Sequence, residues 1–323
     1  MNDIYVLIEH LRGQVADISY LLLAAGTDLA EKTGGRVTAI LLGHQAQDLA
    51  LDLAAHRVIV MDDPALADFI PEAYKKALAA LIREHHPRLV LFGDTSIGAD
   101  LAGSLSVQLD VPLVSYCREL APDDGCLRFT SQICGGKLMA QGEIPEPSAL
   151  VTMIPGGYPP ENGHSSQPKE IISFSAPDLT GLRMSIKQYI EPPAGDVDIS
   201  KEPVLISVGR GIENQDNISM VEELAEALGG VVSASRPVVD QGWLASTRLV
   251  GKSGKSVKPK LYLALGISGA PEHVESITNS QTIVAVNIDP AAPIFNIAQY
   301  GAQVDLFDLL PVLTDKVRAL KGA

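Results

Sequence analysis

Cysteine is scarce in this sequence, and the three cysteines are poorly spaced for disulfide or metal chemistry. Cys117, Cys126 and Cys134 are separated by nine and eight residues. Neither interval suits a zinc knuckle or a CxxC redox pair, and an odd number does not suit a disulfide framework. We therefore expect a reducing compartment, most simply the cytoplasm, with these thiols packed as small apolar groups.

Long hydrophobic runs and basic side chains are also few. No stretch approaches the roughly 20 apolar residues that a membrane-spanning helix needs. The first residues resemble neither a secretory signal nor an arginine-rich transit segment. The 323 residues include 39 acids against 25 bases, a formal net charge of −14. This balance argues against nucleic acid and against anionic membranes as partners.

The pattern that is present is typical of an α/β protein. Short apolar runs predict strands, and longer amphipathic segments predict helices. In the first third, strands are predicted at 4–8, 37–42, 58–61 and 89–92, and helices at 17–33, 65–84 and 98–109. This alternation predicts βαβ units and a parallel sheet. Runs at 127–140, 149–154 and 171–175 have no helices between them, so we expect an antiparallel extension of the same domain.

A Pro-, Gly- and acid-rich segment at 191–196 predicts a domain boundary. After this segment, predicted strands and helices again alternate along the chain. The second set of strands is predicted at 204–208, 231–233, 260–265 and 283–286, with helices at 217–228 and 309–320. We therefore predict two doubly wound, Rossmann- or flavodoxin-like domains, residues 1–192 and 201–323, joined by a linker at 193–200.

Nearly every predicted strand of the second domain is followed by glycine, by a residue with a hydroxyl group, or by Arg, Asn or Asp. Because the carboxyl ends of parallel strands form one edge, where ligands bind in open α/β sheets, this convergence predicts a binding site. Each motif alone is weak. Gly209-Arg210-Gly211 opens like a dinucleotide fingerprint, but Asn214 stands where the third glycine belongs, so a tight turn is equally consistent. Gly254-Lys255-Ser256 resembles the end of a P-loop, yet Leu249 replaces its first glycine, which excludes an NTPase.

A basic segment adds to this prediction. No acidic residue occurs between Asp240 and Glu272. That span contains five of the basic residues, Arg248, Lys252, Lys255, Lys258 and Lys260. A local cationic segment suits an anionic small molecule such as a pyrophosphate, although a solvated basic loop has the same composition.

Other motifs predict structural roles. The sequence has no GxSxG elbow, no HExxH and no metal-spaced cluster, so we assign no catalytic residue and no metal site. His85-His86, ahead of Pro87, predicts the end of a helix. Gly93-Asp94-Thr95-Ser96 has the composition of a phosphate-binding turn, but no basic residue is close in sequence, which favours a structural turn.

Several segments of the second domain together resemble the electron transfer flavoprotein α subunit. In chain order they are Ser235-Arg236-Pro237 with the residues up to Trp243, Val250-Gly251-Lys252-Ser253-Gly254-Lys255, Gly266-Ile267-Ser268-Gly269-Ala270, Asn287-Ile288-Asp289-Pro290, Tyr300-Gly301 and Val304-Asp305-Leu306-Phe307. The first domain resembles the family more loosely, through its α/β pattern, its length and the Gly135-Gly136-Lys137 region.

The resemblance implies that the second domain holds one FAD and that the first domain packs against a β subunit. Matched by position, it implies FAD contacts from Arg210, Ser235, Arg236, Val250, Gly251, Lys252, Ser253, Ser268, Gly269, Ala270, Pro271, Glu272, His273, Asn287, Asp305 and Leu306. Asp305 would bind the adenosine end, and the turn at 268–270 would approach the ribityl chain and pyrophosphate.

Four of these residues would tune the flavin. The resemblance places Arg236 over the isoalloxazine ring, where a fixed guanidinium stabilises negative charge on the reduced flavin. His273 would donate toward the O2 carbonyl and favour the same anionic form, and Ser253 would hydrogen-bond N5. Glu272 stands where the family commonly has Gln, and Ser253 where it commonly has Thr.

The implied function is an electron carrier and not an enzyme. It would accept electrons from flavin dehydrogenases such as acyl-CoA dehydrogenases and pass them to a membrane-bound quinone reductase. Three alternatives remain open: an electron-bifurcating form that oxidises NADH with a second FAD in the β subunit, a flavin- or nicotinamide-dependent enzyme acting alone, and a nucleotide sensor. The enzyme alternative lacks an evident catalytic acid or base besides His273 and Glu272.

The departure at Glu272 gives a testable prediction. A carboxylate beside the flavin opposes an anionic form through like-charge repulsion, so a Glu272→Gln variant should give a higher yield of the anionic one-electron-reduced flavin. Stepwise anaerobic reduction followed by visible absorption measures both yields. Equal yields would contradict the prediction and indicate a carboxylate that faces solvent.

Overall fold

The computed structural model describes residues 3–123, 125–134, 138–167, 169–189 and 197–321. The chain divides into two compact units, Met1–Tyr189 and Ile190–Ala323. The Gly135-Gly136-Lys137 region and residues 193–196 of the predicted linker lie outside the described residues. At the end of that linker, Ile199–Lys201 form a short 3-10 turn, with Ile199 buried in the core of the second unit.

The first unit is built on one large sheet. In chain order its elements are β1 (Asp3–Leu7), β2 (His10–Leu11), β3 (Gln14–Val15), α1 (Asp17–Thr33), β4 (Arg36–Gly43), β5 (Arg57–Asp62), α2 (Pro71–His85), β6 (Leu89–Gly93), α3 (Ser96–Leu109), β7 (Leu113–Asp123), β8 (Cys126–Ile133), β9 (Leu138–Glu143), β10 (Ala149–Met153) and β11 (Glu170–Ser173). The strand order is β11-β5-β4-β1-β6-β10-β7-β8-β9, and β2 and β3 form a separate hairpin. Pairing is parallel from β11 to β7 and antiparallel from β7 to β9.

This arrangement confirms a doubly wound sheet with an antiparallel extension, but it corrects which strands form that extension. β10 lies between β6 and β7 in the parallel part, and β11 pairs with β5 at the far edge. All five residues of β10 are buried, as in a strand covered on both faces. The run predicted at 127–140 is two strands, and β7, which the sequence reading missed, is the strand that joins the parallel and antiparallel parts.

Helices cover both faces of the parallel part. Leu22 of α1 packs with Val6 on one face, and Leu101 of α3 packs with Leu7 on the other. Successive strand residues point to opposite faces, so Val6 and Leu7 each contribute to a different core. The helix predicted from residue 65 begins only at Pro71, because proline has no N–H to donate and suits the first helical position.

The second unit contains a smaller parallel sheet. Its elements are β12 (Val204–Val208), α4 (Ile218–Leu228), β13 (Val231–Ala234), α5 (Arg236–Asp240), β14 (Leu261–Leu265), α6 (Pro271–Val274), β15 (Thr282–Asn287), β16 (Tyr300–Gln303) and α7 (Leu306–Lys321). The strand order is β13-β12-β14-β15-β16, and every pairing is parallel. The sequence reading missed β16, because its four residues, Tyr-Gly-Ala-Gln, contain no buried apolar run.

The two faces of this sheet are covered differently. Residues of α4, α5 and α7, such as Leu224, Val238 and Leu310, form the core on one face. On the other face the core consists largely of residues outside long helices, including Val250 and Ile294. The second face is therefore built from the loops that follow the strands, which are the segments that the motifs occupy.

The structure bears on the expectations about membrane-spanning helices and about the cysteines. In the described ranges, no helix is both long enough and apolar enough to cross a membrane. All three cysteines are free, and burial raises the pKa of Cys117 to about 12. The prediction of packed thiols is wrong for Cys134, which is exposed just after the end of β8, next to the exposed Ile133.

Arg88 gives a stability prediction for the first unit. It is only 6% exposed, and its guanidinium donates to the carbonyl oxygens of Pro145 (2.9 Å) and Ile144 (3.1 Å) ahead of β10. An Arg88→Met variant leaves both carbonyls without these donors, so we expect a loss of about 2 kcal/mol in the free energy of unfolding. Urea denaturation measures it. The control is Arg83→Met, at an exposed position on α2, which should change the free energy of unfolding by less than about 0.5 kcal/mol. Equal losses in the two variants would contradict a stabilising role for the Arg88 hydrogen bonds.

Candidate functional site

The predicted site residues lie where the strand order of the second sheet reverses. The chain passes from β12 to β13 on one side and then to β14 on the other side of β12. Open α/β sheets bind ligands at such a switch point, beyond the carboxyl ends of the strands. The loops after β12, β13 and β14 therefore border this switch point.

Glycines allow the loops after β12 and β14 to touch. The N–H of Gly209 donates to the Leu265 carbonyl (2.8 Å) and that of Gly211 to the Gly266 carbonyl (3.2 Å). A Cβ on Gly209 would lie 2.2 Å from the Gly266 oxygen, and Gly266 itself has φ +63°. Gly209-Arg210-Gly211 is thus a tight turn, in which Gly209 is the N-cap of the short 3-10 segment Arg210–Ile212, and its glycines permit close packing of two loops.

Arg236 and Ser253 are brought together after β13. α5 begins at Arg236, and its Nη1 donates to the Ser253 hydroxyl at 3.0 Å. The Nε of Arg236 donates to the carboxylate of Asp240, one turn along the helix, at 3.2 Å. The guanidinium therefore has two partners that fix its plane, although the side chain is largely exposed. Ser235, just before it, is buried, and its N–H donates to the Val208 carbonyl at 2.9 Å.

The loop at 250–253 joins this group to α6. The N–H of Val250 donates to the Ala234 carbonyl (2.9 Å), and the N–H of Lys252 donates to the Glu272 carbonyl (2.9 Å). Gly251 lies between them with φ +147°, a conformation that other residues rarely adopt. The side chains of Lys252 and Glu272 are exposed. Segments about twenty residues apart in sequence are thus held side by side.

His273 is buried, with both ring nitrogens bonded within the protein. It is 6% exposed; Nδ1 lies 3.1 Å from the Val250 carbonyl oxygen and Nε2 lies 2.8 Å from the Tyr262 hydroxyl. A carbonyl can only accept, so Nδ1 carries the proton and Nε2 accepts from Tyr262. Burial lowers the pKa of His273 to about 4, which makes the ring neutral near pH 7.

The sequence reading missed Tyr262. The residue is completely buried in β14, and burial raises the pKa of its hydroxyl. Its phenol reaches His273 across the face that the loops cover. A tyrosine inside an otherwise aliphatic strand, Leu-Tyr-Leu-Ala-Leu, was the available signal, because a buried phenol needs a hydrogen-bond partner.

The turn after β14 packs on the segment after β15. A Cβ on Gly269, which has φ +88°, would lie 2.3 Å from the backbone nitrogen of Ile294. That nitrogen donates to the Ser268 carbonyl at 3.0 Å, and the Asn287 amide donates to the Ile267 carbonyl, also at 3.0 Å. Ala270 and Pro271 continue from this turn as the N-cap and first residue of α6.

The remaining predicted residues lie at the same edge, after β12 and β16. Arg210 is exposed. Asp305 is also exposed, and its carboxylate accepts from the N–H of Phe307 at 2.8 Å, at the start of α7. Leu306 is buried in the core, so its side chain supports α7 from within.

Part of the basic segment is already engaged by the protein. Lys255 is paired with Asp198 at 2.6 Å, and this contact, with help from Ser200, holds the pKa of Asp198 well below its usual range. Arg248 donates to the Val232 carbonyl at 2.9 Å. These two cations therefore act within the fold; exposed cationic groups at the loop edge include Arg210, Arg236 and Lys252.

This edge has the chemistry that FAD requires. A guanidinium fixed by two partners can lie against a planar ring, and exposed hydroxyl and cationic groups suit a ribityl chain and a pyrophosphate. The glycines at 209, 266 and 269 let the loops that carry these groups pack against one another, because a Cβ at each would meet backbone atoms of the facing loop. Within the described part of the chain, no three His, Cys, Asp or Glu side chains are grouped to hold a metal ion.

Comparisons with known proteins agree with this chemistry. Residues 4–179 match the electron transfer flavoprotein domain, and residues 198–278 match the electron transfer flavoprotein FAD-binding domain. The chain is 38% identical, over 99% of both chains, to the electron transfer flavoprotein subunit alpha of Thermoanaerobacterium thermosaccharolyticum. It is 32% identical to the subunit alpha of Bacillus subtilis, over 99% of this chain and 98% of that one.

A third relative carries a different name. The acryloyl-CoA reductase electron transfer subunit beta of Anaerotignum propionicum is 33% identical over 100% of this chain and 97% of its own. The matches to the two domains and to the two alpha subunits extend along nearly the whole chain. The chain therefore belongs to the electron transfer flavoprotein family, as an α subunit whose second unit contains the FAD-binding domain.

Proposed function

We propose that this chain pairs with a β subunit, binds one FAD, and carries electrons from flavin dehydrogenases such as acyl-CoA dehydrogenases to a quinone reductase. In this proposal the domains are residues 1–192 and 201–323, joined by a linker at 193–200. The observation that carries it is the guanidinium of Arg236, held by Asp240 and Ser253 at the edge of the FAD-binding domain. Bound FAD supplies one-electron chemistry, and the protein supplies its position and electrostatics.

Arg236 supplies fixed positive charge at this edge. The bond from Nε to Asp240 and the bond from Nη1 to Ser253 restrain the guanidinium before any ligand arrives. A preorganised cation stabilises developing negative charge without the cost of reorienting. The Asp240 carboxylate reduces the net charge of this pair, so its first effect is to orient the guanidinium.

His273 contributes orientation and no net charge. A neutral ring bonded to Val250 and Tyr262 ties α6 to the loop at 250–253. Donation from His273 to a flavin carbonyl, as the family resemblance implies, stays a prediction, and it requires exchange of one of these two bonds. The positive charge that tunes a flavin here is accordingly assigned to Arg236.

A second candidate function is electron bifurcation, with a second FAD in the β subunit and NADH as donor. The observation in its favour is the full-length similarity to a subunit named for acryloyl-CoA reductase. The two candidates differ in flavin stoichiometry and in the electron donor. Both use the same FAD site in this chain.

The test uses the complex purified with its β subunit. One FAD per heterodimer, reduced by an acyl-CoA dehydrogenase with its substrate and not by NADH, would support the carrier. Two FADs per heterodimer and rapid reduction by NADH would instead establish the bifurcating form. A complex that neither retains nor takes up FAD would contradict both.

Removal of the fixed cation should lower the flavin reduction potential. Arg236→Met eliminates a positive charge beside the ring, and we expect a decrease of about 60 mV, equivalent to about 1.4 kcal/mol for one electron. The reduction potential of the Arg236→Lys variant should fall between those of wild type and Arg236→Met, because lysine keeps the positive charge but lacks the planar guanidinium. Spectroelectrochemical titration of the heterodimer measures the potentials. Arg318→Met, at an exposed position on α7, is the control; equal potentials in all four proteins would refute the role of Arg236.

The neutral state of His273 predicts how stability depends on pH. In the unfolded chain this residue binds a proton near pH 6.5, but in the folded protein only near pH 4. The contribution of His273 to the stability of the second unit is therefore lost as pH falls from 6.5 to 4, by up to about 3 kcal/mol. Urea denaturation followed by FAD release measures it. The His273→Asn variant should show a weaker dependence of stability on pH. The control His86→Asn, at an exposed position with left-handed backbone, should keep the wild-type dependence. An unchanged dependence in His273→Asn would show that another group causes it.

A further inference from the structure

The sheet of the first unit has a switch point of its own. From β1 the chain goes to β4 and β5 on one side, and then to β6 on the other side of β1. The crevice between the carboxyl ends of β1 and β6 is thus the topological equivalent of the crevice between β12 and β14. β1 leads to Glu9, and β6 leads to the turn Gly93-Asp94-Thr95-Ser96 and α3.

The side chain of Glu9 fills this crevice. It is 8% exposed, and both carboxylate oxygens lie 2.9 Å from the Thr95 hydroxyl. Thr95 caps α3 by accepting from the N–H of Gly98 at 2.9 Å. A Cβ on Gly93 or Gly98 would lie 2.9 or 3.0 Å from Glu9 Oε1. Closer still are Ile18 Cγ1 at Gly93 (2.7 Å) and the Gly93 oxygen at Gly98 (2.0 Å), so these glycines permit close packing around the carboxylate at the start of α3.

The backbone of Glu9 is tied to the start of α1. Its carbonyl accepts from the N–H of Ala16 (2.9 Å) and from the Ser19 hydroxyl (3.2 Å), and its N–H donates to that hydroxyl (2.8 Å). The backbone of Glu9 is thus bonded to the first turn of α1, while its carboxylate lies against Thr95 at the start of α3. Because the carboxylate is shielded from water, burial raises the pKa of Glu9 to about 7, and the Thr95 hydrogen bond opposes the rise.

Space remains beside the carboxylate. A pocket of about 450 Å³ adjoins it, and its lining includes Glu9, Arg12, Gln14 and Ile97. The crevice therefore has an anionic group at the start of α3 and open volume next to it. In nucleotide-binding α/β domains, a phosphate lies at the helix start and the remainder of the nucleotide lies alongside.

We propose that the Glu9 carboxylate takes the position of a bound phosphate in the first unit and so excludes phosphate-bearing nucleotides from this crevice. The turn Gly93-Asp94-Thr95-Ser96, whose composition suits phosphate, is bonded through Thr95 to a side chain of the same chain. Like-charge repulsion and the volume of the carboxylate both oppose a phosphate there. Glu9 is in this sense a specificity-determining residue, and the inference is independent of the role proposed for FAD in the second unit.

The experiment removes the Glu9 carboxylate and measures whether phosphate then binds. Wild type, Glu9→Ala, Glu9→Ser and Glu9→Gln are prepared as heterodimers with FAD bound, and binding of inorganic phosphate and of AMP is measured by calorimetry at pH 8, where the wild-type carboxylate is charged. We expect Glu9→Ala and Glu9→Ser to bind phosphate at least tenfold more tightly than wild type. Glutamine fills the same volume as glutamate, so the Glu9→Gln variant should gain less phosphate affinity than Glu9→Ala or Glu9→Ser. Glu84→Ala, at an exposed position on α2, should behave as wild type.

Two results would overturn the proposal. The first is phosphate and AMP affinity in folded Glu9→Ala and Glu9→Ser no greater than in wild type. The second is failure of both variants to fold, shown by lost circular dichroism and lost assembly with the β subunit. That failure would make Glu9 an essential link between α1 and α3, whereas a group that only excludes a ligand is dispensable for folding.

Discussion

Parallel strand pairing is the constraint on which both units depend. Because parallel strands all run in one direction, their carboxyl ends meet at one edge, and the loops that leave them must share that edge. In the second unit this brings residues from Arg210 to Leu306 to a common place, although nearly a hundred positions separate them. The site is therefore a property of the sheet, and each loop supplies only part of it.

The two units use equivalent crevices differently. In the second unit, Gly209 and Gly266 bring two loops into contact, and the polar side chains remain at the edge, where the family places FAD. In the first unit, Gly93 and Gly98 permit a similarly close contact between a turn and a helix, and a carboxylate of the chain itself lies beside it. One sheet architecture thus serves a cofactor site in one unit and, as we propose, an excluded site in the other.

Electrostatic roles at the FAD edge are divided between a charged and a neutral group. A guanidinium is charged throughout the physiological pH range, and the bonds from Arg236 to Asp240 and Ser253 fix where that charge lies. His273 loses its charge because it is buried, and its hydrogen bonds to Val250 and Tyr262 turn it into a link between α6 and the loop at 250–253. Residue type keeps the guanidinium charged, and burial keeps the imidazole neutral at neutral pH.

The sequence by itself determined the α/β class, most strands and helices, and the family, because apolar periodicity and the motifs at 235–243, 250–255 and 266–270 are local signals. Only the tertiary structure decided that β10 lies inside the parallel sheet, that Arg236 meets Ser253, and that Glu9 meets Thr95. These facts depend on strand order and register, which join residues 17 or 86 positions apart. No local pattern encodes such pairings, since they follow from the packing of the whole sheet.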